Sequence, residues 1–258
     1  MNLFGLTPGA VLRLLREAGD PGRPGGALLV DGPLAPQLAR LLADGGEPAL
    51  VRAGGDPAAA AAVICVLGGA PTTEQLALLR RATRAGVPTV AVQTAPAAAE
   101  VHVPYVLAED VVPVPAGAGF PVDEIAAAVT RGLGRDAAPL AARLPVLRAA
   151  SRRSLTVHAA STAAGLAAAP WVGGSNLPVL VPLQARLLRD LDVVDGGQIP
   201  DSQQAAAATV GQQLGTALAV GVAARSLVRR LPFRSRVVDS LVAGGATFAL
   251  GRVAARLR

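Results

Sequence analysis

Two kinds of apolar pattern divide this chain. From residue 27 to 133, short unbroken apolar runs alternate with stretches of helical period. The runs at 27–30, 49–51, 62–67, 87–92 and 111–114 read as strands, and the stretches at 34–42, 72–85 and 121–133 as helices. In 72–85 the spacing puts Leu76, Leu79 and Thr83 on one face, with Arg80, Arg81 and Arg84 towards water. Continuous apolar strands separated by helices predict an α/β domain, a parallel sheet covered on both faces. Any ligand of such a sheet binds outside the carboxyl ends of its strands.

Beyond residue 140 the period is helical throughout and charge is scarce. Residues 154–185 hold no ionisable side chain except His158, and 202–224 hold none. Proline and glycine divide this part into helices at about 143–169, 178–193 and 202–230. A fourth helix carries Val237, Leu241, Gly244, Phe248 and Gly251. Leu180, Leu183, Leu187 and Leu191 line one face of the second, opposite an Arg186–Asp190 pair. At the other end of the chain, Thr7 and Pro8 open a short amphipathic helix within 1–19 that Gly19 stops. The organisation predicted is an N-terminal helix and linker at 1–26, an α/β domain at 27–135, and an all-α helical-hairpin domain at 140–258.

Composition narrows the chemistry. All 24 basic side chains of the 258 residues are arginine, so no lysine is present for a Schiff base or a phosphate loop. Residues 1–140 carry 10 Arg and 13 acids, a net −3; residues 141–258 carry 14 Arg and 5 acids, a net +9. So cationic a half suits anionic lipid or an acidic protein face. Nucleic acid is not expected, because Trp171, Phe233 and Phe248 are scattered and form no stacking platform. One cysteine and two histidines exclude an intramolecular disulfide and a cysteine-based zinc site, and they fit a cytoplasmic setting. No basic leader followed by an apolar core is expected in residues 1–30.

Individual residues point mostly to structural roles. His158 is expected to be packed or hydrogen-bonded, His102 exposed, and Cys65 a core side chain. Asp31 is expected at a strand end, and Asp123-Glu124 in the first turn of a helix, where acids complement the dipole. No carboxylate pair, Ser/His/Asp set or metal cluster is visible by spacing, so neither catalytic residues nor a cofactor are expected. A bilayer span needs ~20 predominantly apolar residues. Residues 155–172 are mostly alanine, with His158, Ser161 and Thr162 inside. Two readings stay open: a membrane-associated hairpin bracketed by Arg148, Arg152 and Arg153 and by Arg186 and Arg189, or a helical bundle with a solvated basic rim.

The element order of 27–135 resembles a Ras-like or Era-like P-loop GTPase domain. Asp31-Gly32-Pro33 through Gln37-Leu38-Ala39 stands where that family carries its phosphate loop, with Gln37, Leu38 and Ala39 in place of the closing Gly-Lys-Ser/Thr. Gln93-Thr94-Ala95-Pro96 stands at the guanine-specifying motif without its lysine or aspartate, and Pro115 replaces the serine of the last loop. The resemblance implies a degenerate domain, a pseudo-GTPase. The helical half is similar to the YcjF-like helical family of unknown function, which is membrane-associated and linked to Era-like GTPases. Pro170 before a glycine-rich bend carries that similarity, with Leu177-Pro178 through Gln184-Ala185-Arg186 and Ala246-Thr247-Phe248 through Gly251-Arg252. It implies partner or membrane contacts at Gln184 and Arg186; Trp171 of the bend and Arg152, Arg153 and Arg189 of the basic flanks are the further contact candidates.

The expectation is therefore a non-catalytic adaptor that docks on a partner GTPase or on the inner face of the cell membrane. Two alternatives stand beside it. One is a nucleotide binder or enzyme with a site near Asp31, Gly68-Gly69 and Gln93; the other is a structural protein that self-associates through its Gly/Ala faces.

Overall fold

The computed structural model describes residues 26–94, 102–168, 177–197 and 243–252. The amphipathic helix expected within 1–19, the bend with Trp171, the helix expected at 202–230 and Ala95-Pro96 lie outside the described residues. The chain forms two compact units: one is Gly22–Ser154, and the other includes Leu155–Arg258.

The first unit holds five strands: β1 (Leu28–Asp31), β2 (Val51–Ala53), β3 (Ala62–Leu67), β4 (Thr89–Gln93) and β5 (Val111–Pro113). All neighbours pair in parallel, in the order β2-β1-β3-β4-β5. Three helices connect them or close the sheet, α1 (Ala35–Leu42), α2 (Thr73–Arg84) and α3 (Val122–Leu133), and α4 (Ala137–Arg143) follows. The α/β class expected from the pattern is what forms. β3 is buried along its whole length, as a central strand without polar alternation must be.

The strand pleat sorts the core. Leu29, Val63, Cys65, Leu67 and Ala91 point to the face that α2 covers with Leu78, Leu79 and Ala82. α1 runs along β1 and β2, and α3 along β3, β4 and β5. These two bring Leu38, Leu42, Ile125 and Val129 into the core.

Three expectations shift by a physical cause. Pro48 opens a 3-10 turn at Pro48–Leu50, so β2 begins at Val51 rather than at 49. Leu144 is extended because Pro145 follows, which separates α4 from the next helix, α5 (Arg148–Ala168); a single helix from 143 was expected. The buried stripe of α2 is Gln75, Leu78, Leu79 and Ala82; Leu76 is only half-buried and Thr83 is exposed.

Two ion pairs fasten loops at the amino edge of this unit. Arg131 at the end of α3 reaches the Asp110 carboxylate at 2.6 Å and the Glu109 carbonyl at 2.7 Å. Arg143 grips both carboxylate oxygens of Glu47, and the Glu47 amide donates to the Arg143 carbonyl at 3.2 Å. The Arg143 hydrogen bond holds the Glu47 carboxyl below the ordinary glutamate range. Desolvation pushes Asp110 the other way, above its ordinary range, against the pull of Arg131.

The signs follow from linkage. Glu47 adds stability above the ordinary carboxylate range and loses it as pH falls through its lowered pKa. Asp110 adds stability below its ordinary pKa and loses it as pH rises through the raised one. Glu47→Gln is therefore expected to lower the melting temperature at neutral pH and to converge with the parent in acid. Asp110→Asn should match the parent or exceed it at neutral pH and lose that standing in acid. Thermal melts across the acid range check both.

In the second unit, α5 from Leu155 onward, α6 (Leu177–Val194) and α7 (243–252) are described. Gly244 rests against Ala160 and Ala164, and Gly251 against Thr156; a Cβ at Gly251 would lie 2.6 Å from Thr156 Cγ2. Gln184 Nε2 donates to Thr247 Oγ1 at 3.2 Å, tying α6 to α7. No described helix is long and apolar enough to cross a membrane.

Candidate functional site

An open parallel sheet offers its crevice where the connections leave in opposite directions, here between the carboxyl ends of β1 and β3. After β1 the chain has only Gly32, Pro33 and Leu34 before α1 begins. Gly32 has φ +105°, and a Cβ there would lie 2.1 Å from the Val66 carbonyl oxygen, so the loop lies directly against β3. After β3, a Cβ added at Gly68 would lie 3.8 Å from Pro33 Cγ, at ordinary contact distance.

The space between these loops is taken by Gln75. Its side chain is 8% exposed, and its Nε2 donates to the Val66 carbonyl at 3.0 Å. Its Oε1 accepts the Thr72 amide at 3.0 Å, while its own amide donates to Thr72 Oγ1 at 3.2 Å. The same glutamine completes a reciprocal cap on α2 and satisfies a strand carbonyl that would otherwise be buried alone. Gln75, which the pattern of 72–85 does not single out, thus spans from the start of α2 to the end of β3 beside Gly32. The signal that could have found it is the Thr72-x-x-Gln75 spacing.

The head of α1 has little left to offer an anion. Its amides go to local carbonyls: Ala35 to Gly32, and both Gln37 and Leu38 to Leu34, with Pro36 donating nothing. A phosphate cradle needs several free amides in a long glycine-rich loop. This connection is three residues long.

The other expected positions at the strand ends do not converge. Asp31 pairs in register with Cys65 and Gln93 with Leu67, so β3 separates the two side chains. Two strand spacings and two residues of offset place them on the order of 12 Å apart. The chain after β4 is fastened down, with Thr94 donating its amide and its hydroxyl to the Leu67 carbonyl at 2.9 and 3.1 Å. Cys65 is fully buried, and desolvation, with Asp31 adding to it, pushes its thiol up to about 12. The folded protein is therefore expected to leave Cys65 unlabelled by a thiol reagent at mildly alkaline pH, with full labelling on unfolding. Among the described residues no group of three or more His, Cys, Asp or Glu could hold a metal ion.

The contact residues expected in the helical part separate into two kinds. Gln184 is 2% exposed and hydrogen-bonded to Thr247, so it holds α6 to α7 and is not a surface contact. Arg186 and Arg189 are half-buried on the same helix, Arg152 is half-buried, and Arg153 is exposed. Trp171 is outside the described residues. His158 is exposed, which removes the packed form of the expectation, and its carbonyl accepts the hydroxyls of Ser161 and Thr162 at 2.9 and 2.8 Å. Gly244 and Gly251 are occupied within their own unit. The surface of α7 shows Phe248, with the Arg252 guanidinium 5.9 Å above its ring.

Comparison of the chain with protein-family models, with curated proteins and with solved structures gives no match. Strand order 2-1-3-4-5 is shared by doubly wound sheets of many chemistries, so the fold alone assigns no reaction.

Proposed function

We propose that this chain is a non-catalytic adaptor: a GTPase-like α/β scaffold without a working nucleotide site, joined to a cationic helical part that docks on an anionic surface. The observation that carries this reading is the closed crevice, where Gln75, the three-residue β1–α1 connection and the engaged amides of α1 leave no cradle for a triphosphate. With no lysine in the chain, nothing replaces that cradle. A helix terminus alone contributes ~0.3–1 kcal/mol to holding an anion, far less than a triphosphate needs.

Docking rests on charge. Residues 141–258 carry 14 Arg against 5 acids, and Arg153 and Arg252 are exposed. The surfaces that fit are the anionic inner face of the cell membrane and an acidic face of a partner such as an active GTPase. Flotation of the full chain with vesicles of anionic and of neutral lipid, alongside retention on an immobilised acidic GTPase, tests this. The expected result is capture by one anionic surface, weakened by salt and by Arg152→Gln with Arg153→Gln. A chain that neither floats with anionic vesicles nor is retained removes the docking half of the reading.

A further inference from the structure

The exposed large apolar or aromatic side chains described in the first unit are Leu34, Leu41, Tyr105 and Leu107. Leu34 is 53% exposed with φ +63°, at the carboxyl edge of the sheet. Tyr105, with φ +68°, and Leu107 are 49% and 64% exposed in the segment that precedes β5. Thr89, the first residue of β4, donates its hydroxyl to the Tyr105 carbonyl at 3.1 Å, which fixes that segment at the amino edge. Leu34 and Tyr105 are the non-glycine residues with positive φ among those described. A bulky side chain in left-handed backbone costs ~1–2 kcal/mol, and its exposure to water returns nothing within the chain.

Charge says what meets these two ends. In a parallel sheet the connecting helices run against the strands, so each helix starts at the carboxyl edge and ends at the amino edge. The helix starts carry exposed Glu74 on α2 and exposed Asp123 and Glu124 on α3. The last turns of α2 carry exposed Arg80, Arg81 and Arg84. One end of the unit thus shows Leu34 with an acidic rim; at the opposite end the three α2 arginines outnumber the exposed acids Asp44 and Glu109, Glu47 being paired with Arg143. Sideways strand addition is not the route, because β2 has three residues and β5 includes Pro113, which has no N–H to give.

We propose that the occupant of each edge is a second copy of this chain, docked head to tail, with Leu34 and the acidic rim of one copy against Tyr105, Leu107 and the arginines of the next. This inference does not depend on the adaptor reading, since it uses neither the crevice nor the helical unit. A head-to-tail contact uses two different surfaces, so it does not stop at a two-fold dimer and grows with concentration unless a ring closes. Its charged rim weakens with salt, as the screening length falls from about 8 Å at 0.15 M to about 3 Å at 1 M.

Sedimentation velocity of the full chain tests it, with two charge-reversed variants. Glu74→Arg with Glu124→Arg makes both edges basic, and Arg80→Glu with Arg84→Glu makes both acidic. The parent is expected to assemble at low salt and to dissociate at high salt. Each variant alone is expected to lose assembly, and an equimolar mixture to regain it, because each reversed edge then meets a complementary one. Recovery in the mixture also shows that both variants are folded. Leu107→Ser, outside any helix or strand, is expected to weaken assembly with an unchanged melting temperature. A parent that is monomeric at low salt, or assembly that survives both reversals and Leu107→Ser, overturns the proposal.

Discussion

Gly32→Ala is expected to lower the stability of the α/β unit by about 4 kcal/mol or more, enough to remove it at ordinary temperatures. Two costs add at this position. The backbone has φ +105°, which an L side chain rarely adopts, and the new Cβ would lie 2.1 Å from the Val66 carbonyl oxygen. That neighbour is the backbone of a strand paired on both sides, so it cannot move aside. Gly54→Ala isolates the first cost: φ is +78° there, and nothing lies within 4 Å of an added Cβ. A loss of about 1–2 kcal/mol is expected for it. The lone thiol of Cys65, buried in β3, reports opening of this unit by itself, so thiol labelling against denaturant measures both variants. Equal effects at the two glycines would show that the loop does not press on β3 as described.

The second large effect is at Gln75. Gln75→Ala removes the acceptor for the Thr72 amide and the donor to the Val66 carbonyl together, for an expected loss of about 2–3 kcal/mol. Gln75→Glu separates the two bonds. It keeps an acceptor for Thr72, but a carboxylate cannot donate to Val66, so the buried carboxyl is expected to have a raised pKa. Its contribution is then lost as pH rises through that pKa, so Gln75→Glu should approach the parent in acid and fall below it at neutral pH. The same labelling experiment, repeated across pH, checks the direction.

The residues themselves show why part of this was legible and part was not. β3 and its neighbours could be read because strands buried on both faces must be apolar along their whole length, and 62–67 has no other use. The start of β2 was misplaced because hydrophobicity does not see that Pro48 favours a turn before the strand. The α1 connection was read in the register of a phosphate loop. The helix expected at 34–42 forms from Ala35, where Pro36 suits a first turn and Leu34 takes the left-handed backbone that opens it. Gln75 was hidden by its polarity: periodicity sorts residues by side-chain class, and a glutamine satisfied on both ends is buried for hydrogen-bonding reasons. Gln184 is the same case at longer range, since its partner Thr247 is 63 residues away and no local pattern joins them. Charge asymmetry between the halves was plain in the sequence, whereas the division of charge between the two edges of the sheet needed strand order and helix direction.

Gln75, a side chain of the protein itself, occupies the crevice between the β1 and β3 ends, and calorimetric titration of the full chain with GTP and magnesium tests this most directly. Because Gln75 already holds Val66 and the head of α1 has engaged its amides, no saturable heat is expected for the parent up to millimolar nucleotide. A micromolar, magnesium-dependent isotherm for the parent would contradict it.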